Sequence, residues 1–425
     1  MKKQAQHNAK LAPNSDWASL PIFDRKGWTR LPFGEFVESI GQRVDPAGVP
    51  DEAYVGLEHI DPQCLHIKRW GKGSDVTGGK LRFRKGDIIF GKRRAYQRKL
   101  AVAEFDGICS AHAMVLRAKP DKVLPEFLPF LMMSDRFMNR AVEISVGSLS
   151  PTINWKTLKL ETFDLPPLNQ QGRIAKIFSA ADESLEATRS SLAAVEALRV
   201  AKLFNRYRWG IGHSKFTKTA LGKRPATWEV SPLGCHYQVQ LGKMMSPKAI
   251  SGGSQRPYLR NANVQWNRFD LSDVSTMSFN EREAQKFELR DGDILACEGR
   301  HVGKSAIWRN EIPGACFQKA LHRIRALDPE QIPEFMLFQM EHHSRSGIFA
   351  DHVGETTIPH LPAERLRSIP FSSPPKDEQQ AIAEEIQTLG NVAAHLQIPL
   401  DASERLLGTL LEALVSDSPT TIRPR

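Results

Sequence analysis

Apolar residues recur at alternating steps of four and three in two long stretches of the chain. In the first stretch the larger apolar side chains at these steps are Ile174, Phe178, Leu185, Leu192 and Val195. In the second stretch they are Ile382, Ile386, Leu389, Leu396, Leu407 and Leu410. This spacing is typical of the a and d positions of a coiled coil. The pattern therefore predicts two long helices, over residues 169–208 and 374–415, each with a narrow apolar seam.

Upstream of each helix the pattern changes to short strand-like apolar runs separated by Gly, Pro, Asn and Asp. These runs occur twice in the same order, about 200 residues apart, and begin near Trp28 and Trp228. The matching segments are KGDIIF (85–90) with DGDILA (291–296), GICSAHAMVLRA with GACFQKALHRIRA, LPEFLPFLM with IPEFMLFQM, and PPLNQQGRIA with PPKDEQQAIA. Such an ordered set indicates an internal duplication.

The duplication predicts an α+β chain with two similar domains of mixed strands and short helices, at 23–168 and 209–373. A polar segment (1–22) precedes them, and a disordered tail (416–425) follows the second helix. Each apolar seam must be covered, and each helix has a partner in the other. Because the repeats run head to tail, an antiparallel coiled coil would hold the two domains at opposite ends of a rod. The alternative is that each helix packs on its own domain as an ordinary amphipathic helix. Pro399 should bend or briefly break the second helix.

Charge indicates the kind of partner. The formal net charge is +10 and the pI is near 9.3, which favours a polyanion. Residues 66–99 contain twelve Lys or Arg against Asp75 and Asp87, with Trp70, Phe83, Phe90 and Tyr96 interleaved. A solvated basic face is the alternative interpretation, but this density with aromatic residues favours nucleic acid.

Several classes of function are disfavoured. The sequence has no run of about eighteen apolar residues and its basic start leads into no apolar core, so we expect a cytoplasmic protein without a membrane span. The five cysteines form no CxxC pair, which argues against a disulfide framework or a metal site. We interpret the pair His342-His343 as surface or capping histidines.

The segment CEGRHVGKS (297–305) resembles a phosphate-binding loop but does not meet its requirements. That motif needs four residues between its glycines and a helix after them. Here Gly299 and Gly303 enclose three residues, and the apolar run 306–308 is of strand type. The chain also lacks an [ND]PP[YF] methylase motif and a paired acidic nuclease motif. We therefore predict no catalytic centre.

With these residues in view, the chain resembles the specificity subunit of type I restriction–modification systems, from about Trp28 to Leu414. The similar segments are AYVGLEHI (53–60), RPYLRNANVQWNRFDLSDV (256–274), GDILACEG with VGKSAIW (292–308), QKALHRIR (318–325) and the two proline-pair entries into the long helices. The family has Glu-Gln after the proline pair. The second copy keeps this with Glu378, whereas the first has Gln170.

The resemblance implies a non-catalytic, DNA-binding subunit. It implies that each target recognition domain reads one half of a bipartite double-stranded target, and that the helices set the spacing and dock methyltransferase subunits, which we expect to number two. S-adenosylmethionine, ATP and Mg are expected on those and on restriction/translocase subunits, not on this chain. The alternatives are a free-standing DNA-binding or scaffold protein and, in a third class, an enzyme such as an NTPase.

Candidate DNA-binding residues follow from base chemistry. Arg and Lys suit guanine, Asn and Gln suit adenine, and other basic side chains bind phosphates. In the two domains these candidates are Lys92, Arg93, Arg94, Tyr96, Gln97 and Arg98, then Arg260, Asn261, Asn263, Arg300, His301 and Lys304. The stretch SLSPTIN (148–154), matched by 355–358, is a further candidate, although its hydroxyls could equally cap a turn.

Overall fold

The computed structural model describes residues 20–246, 254–299, 301–352 and 360–415. It comprises two compact units: unit 1 contains residues 20–190 and 397–415, and unit 2 contains Ser191–Leu396. The predicted disordered tail and most of the N-terminal segment lie outside the described residues. Each unit therefore includes one of the two similar domains expected from the sequence together with parts of both long helices.

Unit 1 is a mixed domain of strands and short helices. Its strands are β1 (Thr29–Pro32), β2 (Val37–Ile40), β3 (Arg43–Val44), β4 (Ala53–Val55), β5 (Gly71–Lys72), β6 (Lys80–Phe83), β7 (Ile88–Gly91), β8 (Leu100–Val102), β9 (Gly107–Cys109), β10 (Ala113–Ala118) and β11 (Thr162–Leu165). Its short helices are α1 (Phe33–Phe36), α2 (Leu128–Met133), α3 (Asp135–Glu143) and α4 (Trp155–Leu158). The strands form sheets ordered β2-β10-β7-β8, β3-β6-β9-β4-β5 and β1-β11.

The long helix α5 (Leu168–Trp209) leads from unit 1 into unit 2. The strands of unit 2 are β12 (Phe216–Thr219), β13 (Gly222–Pro225), β14 (Glu229–Pro232), β15 (Tyr237–Leu241), β16 (Gln255–Leu259), β17 (Val264–Gln265), β18 (Arg268–Phe269), β19 (Ser275–Ser278), β20 (Ile294–Cys297), β21 (Ser305–Ile307), β22 (Cys316–Phe317), β23 (Leu321–Ala326) and β24 (Pro370–Ser373). Its helices are α6 (Glu281–Phe287), α7 (Pro333–Arg345) and α8 (Ala363–Ser368), and α9 (Lys376–Val415) follows.

The sheets repeat the duplication seen in the sequence. The order β15-β23-β20-β21 in unit 2 matches β2-β10-β7-β8 in unit 1, and the pair β14-β24 matches β1-β11. Each unit also has one parallel pair, β4 with β9 and β16 with β22. The predicted class, two similar α+β domains with two long helices, is confirmed.

Two polar clusters explain why particular residues recur in both copies. Asp87 after the first KGD turn accepts two hydrogen bonds from Arg117, at 2.7 and 2.9 Å, across the sheet. Asp293 does the same with Arg325, at 2.6 Å twice. Both carboxylates are almost fully buried, so removing either arginine would leave a buried charge unpaired.

The second repeated cluster is at the start of each long helix. The buried side chain of Gln171 accepts from the backbone N–H of Leu124 (2.8 Å) and donates to the carbonyl of Pro166 (2.9 Å). Gln379 repeats these bonds with the N–H of Ile332 (3.0 Å) and the carbonyl of Pro374 (2.9 Å). The glutamine after each proline pair thus fixes the helix to its own domain through buried backbone groups that would otherwise be unsatisfied.

The difference between Gln170 and Glu378 is matched by their partners. Both accept from a tryptophan indole, Gln170 from Trp28 at 3.1 Å and Glu378 from Trp228 at 2.9 Å. The amide nitrogen of Gln170 also donates to the backbone carbonyls of residues 22 (3.2 Å) and 24 (2.7 Å). The second oxygen of Glu378 instead accepts from the N–H of Ile211 (2.9 Å). An amide faces acceptors in unit 1, and a carboxylate faces donors in unit 2.

The long helices pair within each unit. In unit 1, Phe178 from the first part of α5 shares an apolar core with Leu411 from the last part of α9. In unit 2, Leu203 from the last part of α5 clusters with Ile386 from the first part of α9. The early part of each helix thus lies against the late part of the other, so the two run antiparallel. The seam residues Ile174, Phe178, Leu185, Ile382 and Ile386 are buried, and Leu192, Val195, Leu389, Leu396, Leu407 and Leu410 are half-buried.

Ion pairs accompany this apolar pairing. In unit 2 the guanidinium of Arg206 binds Glu385, and the pKa of Glu385 is lowered to about 2, first by that hydrogen bond and then by Lys202. Arg199 on α5 forms a two-bond pair with Glu341 on α7, at 2.9 and 2.8 Å, with both side chains largely buried. The first pair joins α5 to α9, and the second joins α5 to the short helix α7.

A histidine connects the recognition domain of unit 1 to α5. The ring nitrogens of His66 bind Asp182 at 2.9 Å and Glu104 at 2.8 Å. The pKa of His66 is raised to about 9, first by the hydrogen bond with Asp182 and then, against the opposing effect of burial, by that with Glu104. The loop that carries His66 is therefore held to the long helix by a charged imidazolium at neutral pH.

Two expectations about single residues are corrected. The helix α9 runs through Pro399 without the expected break, and the proline ring is exposed. His342 and His343 are not surface residues: both are buried, at 6% and 1% exposure. Burial lowers their pKa values to about 4 and about 3, so both are neutral core side chains at neutral pH.

Candidate nucleic-acid interface

In unit 1 the candidate residues lie on one turn between β7 and β8, here named the basic turn (residues 92–98). Arg94 and Arg98 adopt the left-handed backbone conformation, with φ of 58° and 50°, which is uncommon for residues other than glycine. Ala95 between them is buried and anchors the turn. Arg93, Arg94 and Tyr96 are exposed, whereas Lys92 and Gln97 are partly exposed. The turn thus presents cationic and aromatic groups outward from a fixed backbone.

A second loop lies against the basic turn. The N–H of Arg94 donates to the carbonyl of Pro151 at 2.7 Å, and the N–H of Ile153 donates to the carbonyl of Lys92 at 2.9 Å. Arg93 also forms an isolated β-bridge with Thr152. The structure therefore brings the SLSPTIN stretch and the basic turn, separate in sequence, into one surface.

The surface formed by these two loops is electropositive. Partial burial, followed by the charges of Arg93 and Lys92, lowers the pKa of the adjacent His112. Nε2 of His112 lies 3.2 Å from Nη1 of Arg93, consistent with a neutral ring that accepts from the guanidinium. The positive charges of Arg93 and Lys92 beside this ring would attract phosphates.

Arg98 differs from its neighbours. Its guanidinium pairs with Asp135 at the start of α3 and donates to Asn139 Oδ1 at 2.5 Å. These bonds hold the basic turn to α3. In this conformation Arg98 supports the surface rather than projecting from it.

Unit 2 has the same backbone arrangement after β20 as unit 1 has after β7, but it carries different side chains there. The N–H of Glu298 donates to the carbonyl of Ala320 at 3.0 Å, as that of Lys92 does to His112 at 3.1 Å. The N–H of Leu361 donates to the carbonyl of Glu298 at 2.8 Å, as Ile153 does to Lys92. Glu298 therefore occupies in unit 2 the place of Lys92 in unit 1, and the two copies carry opposite charges there.

The residues around Gly303 form a strand-to-strand turn, not a phosphate-binding loop. Strand β20 precedes it and β21 follows, so no helix begins there. Gly303 has a φ of +79°, and a Cβ at this position would lie 2.3 Å from the ring of Phe349. Glycine is therefore needed here by the close approach of Phe349 as well as by the positive φ.

The candidate residues of unit 2 are less exposed than those of unit 1. His301 is exposed, and Nζ of Lys304 donates to Gln265 at 3.3 Å. Arg260 pairs with the carboxylate of Asp273 at 2.8 Å, and the amide of Asn261 lies 3.5 Å from the carbonyl of Gly299. Arg300 and the stretch 355–358 lie outside the described residues.

Asn263 has a structural role in this conformation. It is 2% exposed, its amide donates to the carbonyls of Asp270 (2.8 Å) and Asp273 (2.9 Å), and its oxygen accepts from the N–H of Arg260 (2.9 Å). Both amide hydrogens are used and the side chain is almost fully buried, so in this conformation Asn263 holds its own loop together, and its contact with a base stays a prediction.

Sequence reasoning missed a pocket beside Glu298. The pocket has a volume of about 380 Å³ and is lined by Met244, Met245, Glu298, Gly299, Gln318, Lys319, Ala320 and His360. The Glu298 carboxylate is 4% exposed and lies 3.1 Å from Nε2 of His360. Oε1 of Gln318 is buried without a hydrogen-bond partner in the described part of the chain. Ala320 adopts a φ of 88°, so backbone strain accompanies the unsatisfied acceptor. Only the mismatch of Lys92 and Glu298 in the aligned repeats could have indicated this position.

Within the described ranges, no group of three or more His, Cys, Asp or Glu side chains is placed to hold a metal ion. None of the helices in those ranges is long and apolar enough to cross a membrane.

Comparison with known proteins gives consistent matches. The family model for the type I restriction modification DNA specificity domain matches residues 28–197 and again residues 225–400. A putative type I restriction enzyme MjaX specificity subunit of Methanocaldococcus jannaschii is 23% identical over 365 residues, covering 83% of this chain and 82% of the relative. The type I restriction enzyme EcoDI specificity subunit of Escherichia coli is 28% identical over 216 residues, covering 48% of this chain and 46% of the relative.

Solved structures share the fold. The S subunit of a type I restriction–modification system from M. genitalium has a TM-score of 0.61 at 15% identity, covering 94% of this chain and 99% of that one. A chain from a study of assembly and conformational transition in a type I R-M system has a TM-score of 0.53 at 20% identity, covering 92% of this chain and 99% of that chain.

Proposed function

The chain belongs to the type I restriction modification DNA specificity family, and we propose that each of its two units reads one half of a split double-stranded DNA target. As a DNA-binding specificity subunit it selects sequence and is not itself catalytic. The single observation that carries the half-site assignment is a pair of backbone hydrogen bonds that recurs in both units. These bonds hold Lys92 in unit 1 and Glu298 in unit 2.

The different side chains at this position favour two unlike half-sites. Lys92 adds a positive charge that can face DNA in unit 1, whereas in unit 2 the buried carboxylate of Glu298 pairs with His360 and leaves DNA contacts to neighbouring side chains. Identical domains would read identical half-sites, and these two domains carry opposite charges at this equivalent position. We therefore propose an asymmetric target, with Arg93, Arg94 and Tyr96 contributing in unit 1 and His301 and Lys304 in unit 2.

The long helices connect the two units, and we propose that their length sets the number of unread base pairs between the half-sites. Removing one heptad from each helix shortens both by about 10 Å. Since base pairs are spaced about 3.4 Å apart, the gap should shrink by about three base pairs while both half-sites stay the same.

Partner subunits supply the chemistry in this proposal. The helices dock methyltransferase subunits, expected to be two, which bind S-adenosylmethionine, and restriction/translocase subunits use ATP and Mg. No role for these cofactors on this chain is proposed.

Methylation mapping tests the proposal. The chain is co-expressed with a methyltransferase subunit that assembles with it, and methylated adenines are mapped across the host DNA. We expect one split motif, two short half-sites around a constant gap. If both proteins are soluble but no motif appears, the proposal is wrong and a free-standing binder is favoured.

The heptad variant is the second arm of the same experiment. An internal control replaces seven exposed residues on each helix without changing its length, and should leave the gap unchanged. An unchanged gap in the deletion variant would show that helix length does not set the spacing.

A further inference from the structure

Two large apolar side chains in unit 1 are almost fully exposed. Leu149 is 91% exposed and Val146 is 77% exposed, the highest values among the described large apolar residues. Single exposed apolar residues are common on protein surfaces. These two differ because they share one short loop, here named the apolar-tipped loop (residues 145–152).

The apolar-tipped loop is a defined structure. Val146 and Thr152 exchange two backbone hydrogen bonds, at 3.0 and 2.9 Å, which close its base. Gly147, with a φ of 117°, allows the chain to reverse immediately after Val146. Ile153 follows the closed base and is 1% exposed, so the loop is anchored in the core. Leu149 is therefore projected from a fixed base.

The position of the loop indicates its partner. It lies directly on the basic turn, through the bond from Arg94 to the carbonyl of Pro151 (2.7 Å) and the bridge between Arg93 and Thr152. Neither 92–99 nor 145–152 contains an acidic residue. An apolar tip with cationic side chains beside it is complementary to DNA, where phosphates flank an apolar base stack.

We propose that the apolar-tipped loop contacts the bases of the half-site read by unit 1, with Leu149 as the contacting group. This rests on the proposed function. The basic turn binds phosphates beside the loop, and Leu149 reaches the base pairs between them. The contact is apolar, either with a thymine methyl group or at an opened base step, and DNA is the occupant in both cases.

The test measures binding of the assembled complex to duplexes carrying its mapped target. Leu149→Ala should weaken binding about tenfold, as expected for removal of several methylene-sized groups from a buried contact. The slope of affinity against salt should not change, because no charge is removed. Leu160→Ala is the matched control, since Leu160 is also strongly exposed in unit 1, at 68%, and should bind as the wild type does.

Two further arms identify the contacted surface. Replacing thymine by uracil in the unit 1 half-site removes the methyl group and should abolish the difference between Leu149→Ala and wild type if that methyl is the contact. A 2-aminopurine placed there should brighten on binding wild type, but not Leu149→Ala, if a base step is opened. Either result supports the inference.

Two results would overturn it. One is that Leu149→Ala binds DNA as Leu160→Ala does. The other is that Leu149→Ala fails to assemble with the methyltransferase subunit without DNA, which would place the loop in a protein interface. In both cases the proposed function still holds if the wild-type chain directs methylation of a split motif. If the wild-type chain directs no such methylation, the proposed function itself is contradicted.

Discussion

Replacing Gln170 by glutamate would give unit 1 the residue that unit 2 carries at the same place, and we expect it to destabilise unit 1. The Gln170 amide donates to the carbonyls of residues 22 and 24, at 3.2 and 2.7 Å. A carboxylate has no hydrogen to donate, so both carbonyls would face a negative oxygen. Two lost hydrogen bonds at about 1 kcal/mol each, with some repulsion in this partly exposed site, give about 2–3 kcal/mol.

The pH dependence distinguishes this mechanism from general damage. The introduced carboxyl can donate again once protonated, so its pKa in the folded state should be raised. The folded chain then binds this proton more tightly than the unfolded chain does. The loss of stability relative to wild type should therefore be complete at high pH and should shrink as the pH falls from about 7 to about 5. Hydrogen exchange of residues 20–28, compared with unit 2, is the measurement, because it localises the loss.

The reciprocal change provides the control. Glu378→Gln keeps one oxygen for the N–H of Ile211 but places an NH2 group against the Trp228 indole, so it should cost about 1–2 kcal/mol in unit 2 alone. It should not recover at low pH. A Gln170→Glu variant as stable as wild type, or a deficit independent of pH, would refute the partner-matching explanation.

Three further changes probe other features. Gly303→Ala should lower the free energy of unfolding by about 2 kcal/mol or more, because the new Cβ would clash with Phe349. Gly347→Ala is the control: its φ of +77° is similar but nothing lies near its Cβ, so it shows the cost of the backbone conformation alone. The pKa of His66 is raised to about 9 in the folded chain, so its stabilisation of unit 1 is complete below its pKa of about 6.5 in the unfolded chain and is lost as the pH rises through 9. His66→Gln should remove this pH dependence, measured as hydrogen-exchange rates of unit 1 against pH. Glu341→Gln should cost about 3 kcal/mol in chemical unfolding of unit 2, because the largely buried Arg199 would keep only the exposed Glu196 as a counter-charge. A loss below about 1 kcal/mol would contradict this.

The duplication and the long helices were predictable because both follow from residue patterns that are visible in the sequence itself. A heptad seam has a period, and ordered matches between halves need only comparison. Gln171 and Gln379 occupy matching positions in the two repeats, but the sequence does not show that they accept hydrogen bonds from the backbone of Leu124 and Ile332. Those partners are distant in sequence, and only folding brings them together.

The errors have physical causes. A break was one of the two effects expected of Pro399, but α9 continues through it with the proline ring exposed. His342 and His343 were taken for surface residues because histidine type says little about burial. Glu298 was missed because an acidic residue in a basic protein is an unusual candidate for DNA recognition. Leu149 was noticed only as part of a polar stretch, since exposure cannot be read from residue type.

The division of the long helices between the units has a consequence for the order of synthesis. Unit 2 is one continuous segment, Ser191–Leu396, so every residue of its core has been synthesised when α9 is half made. Unit 1 needs Leu411 and Leu414 to complete a core that begins at Ile22. The domain translated first should therefore finish folding last, and during translation the exposed face of its half of α5 needs protection from aggregation.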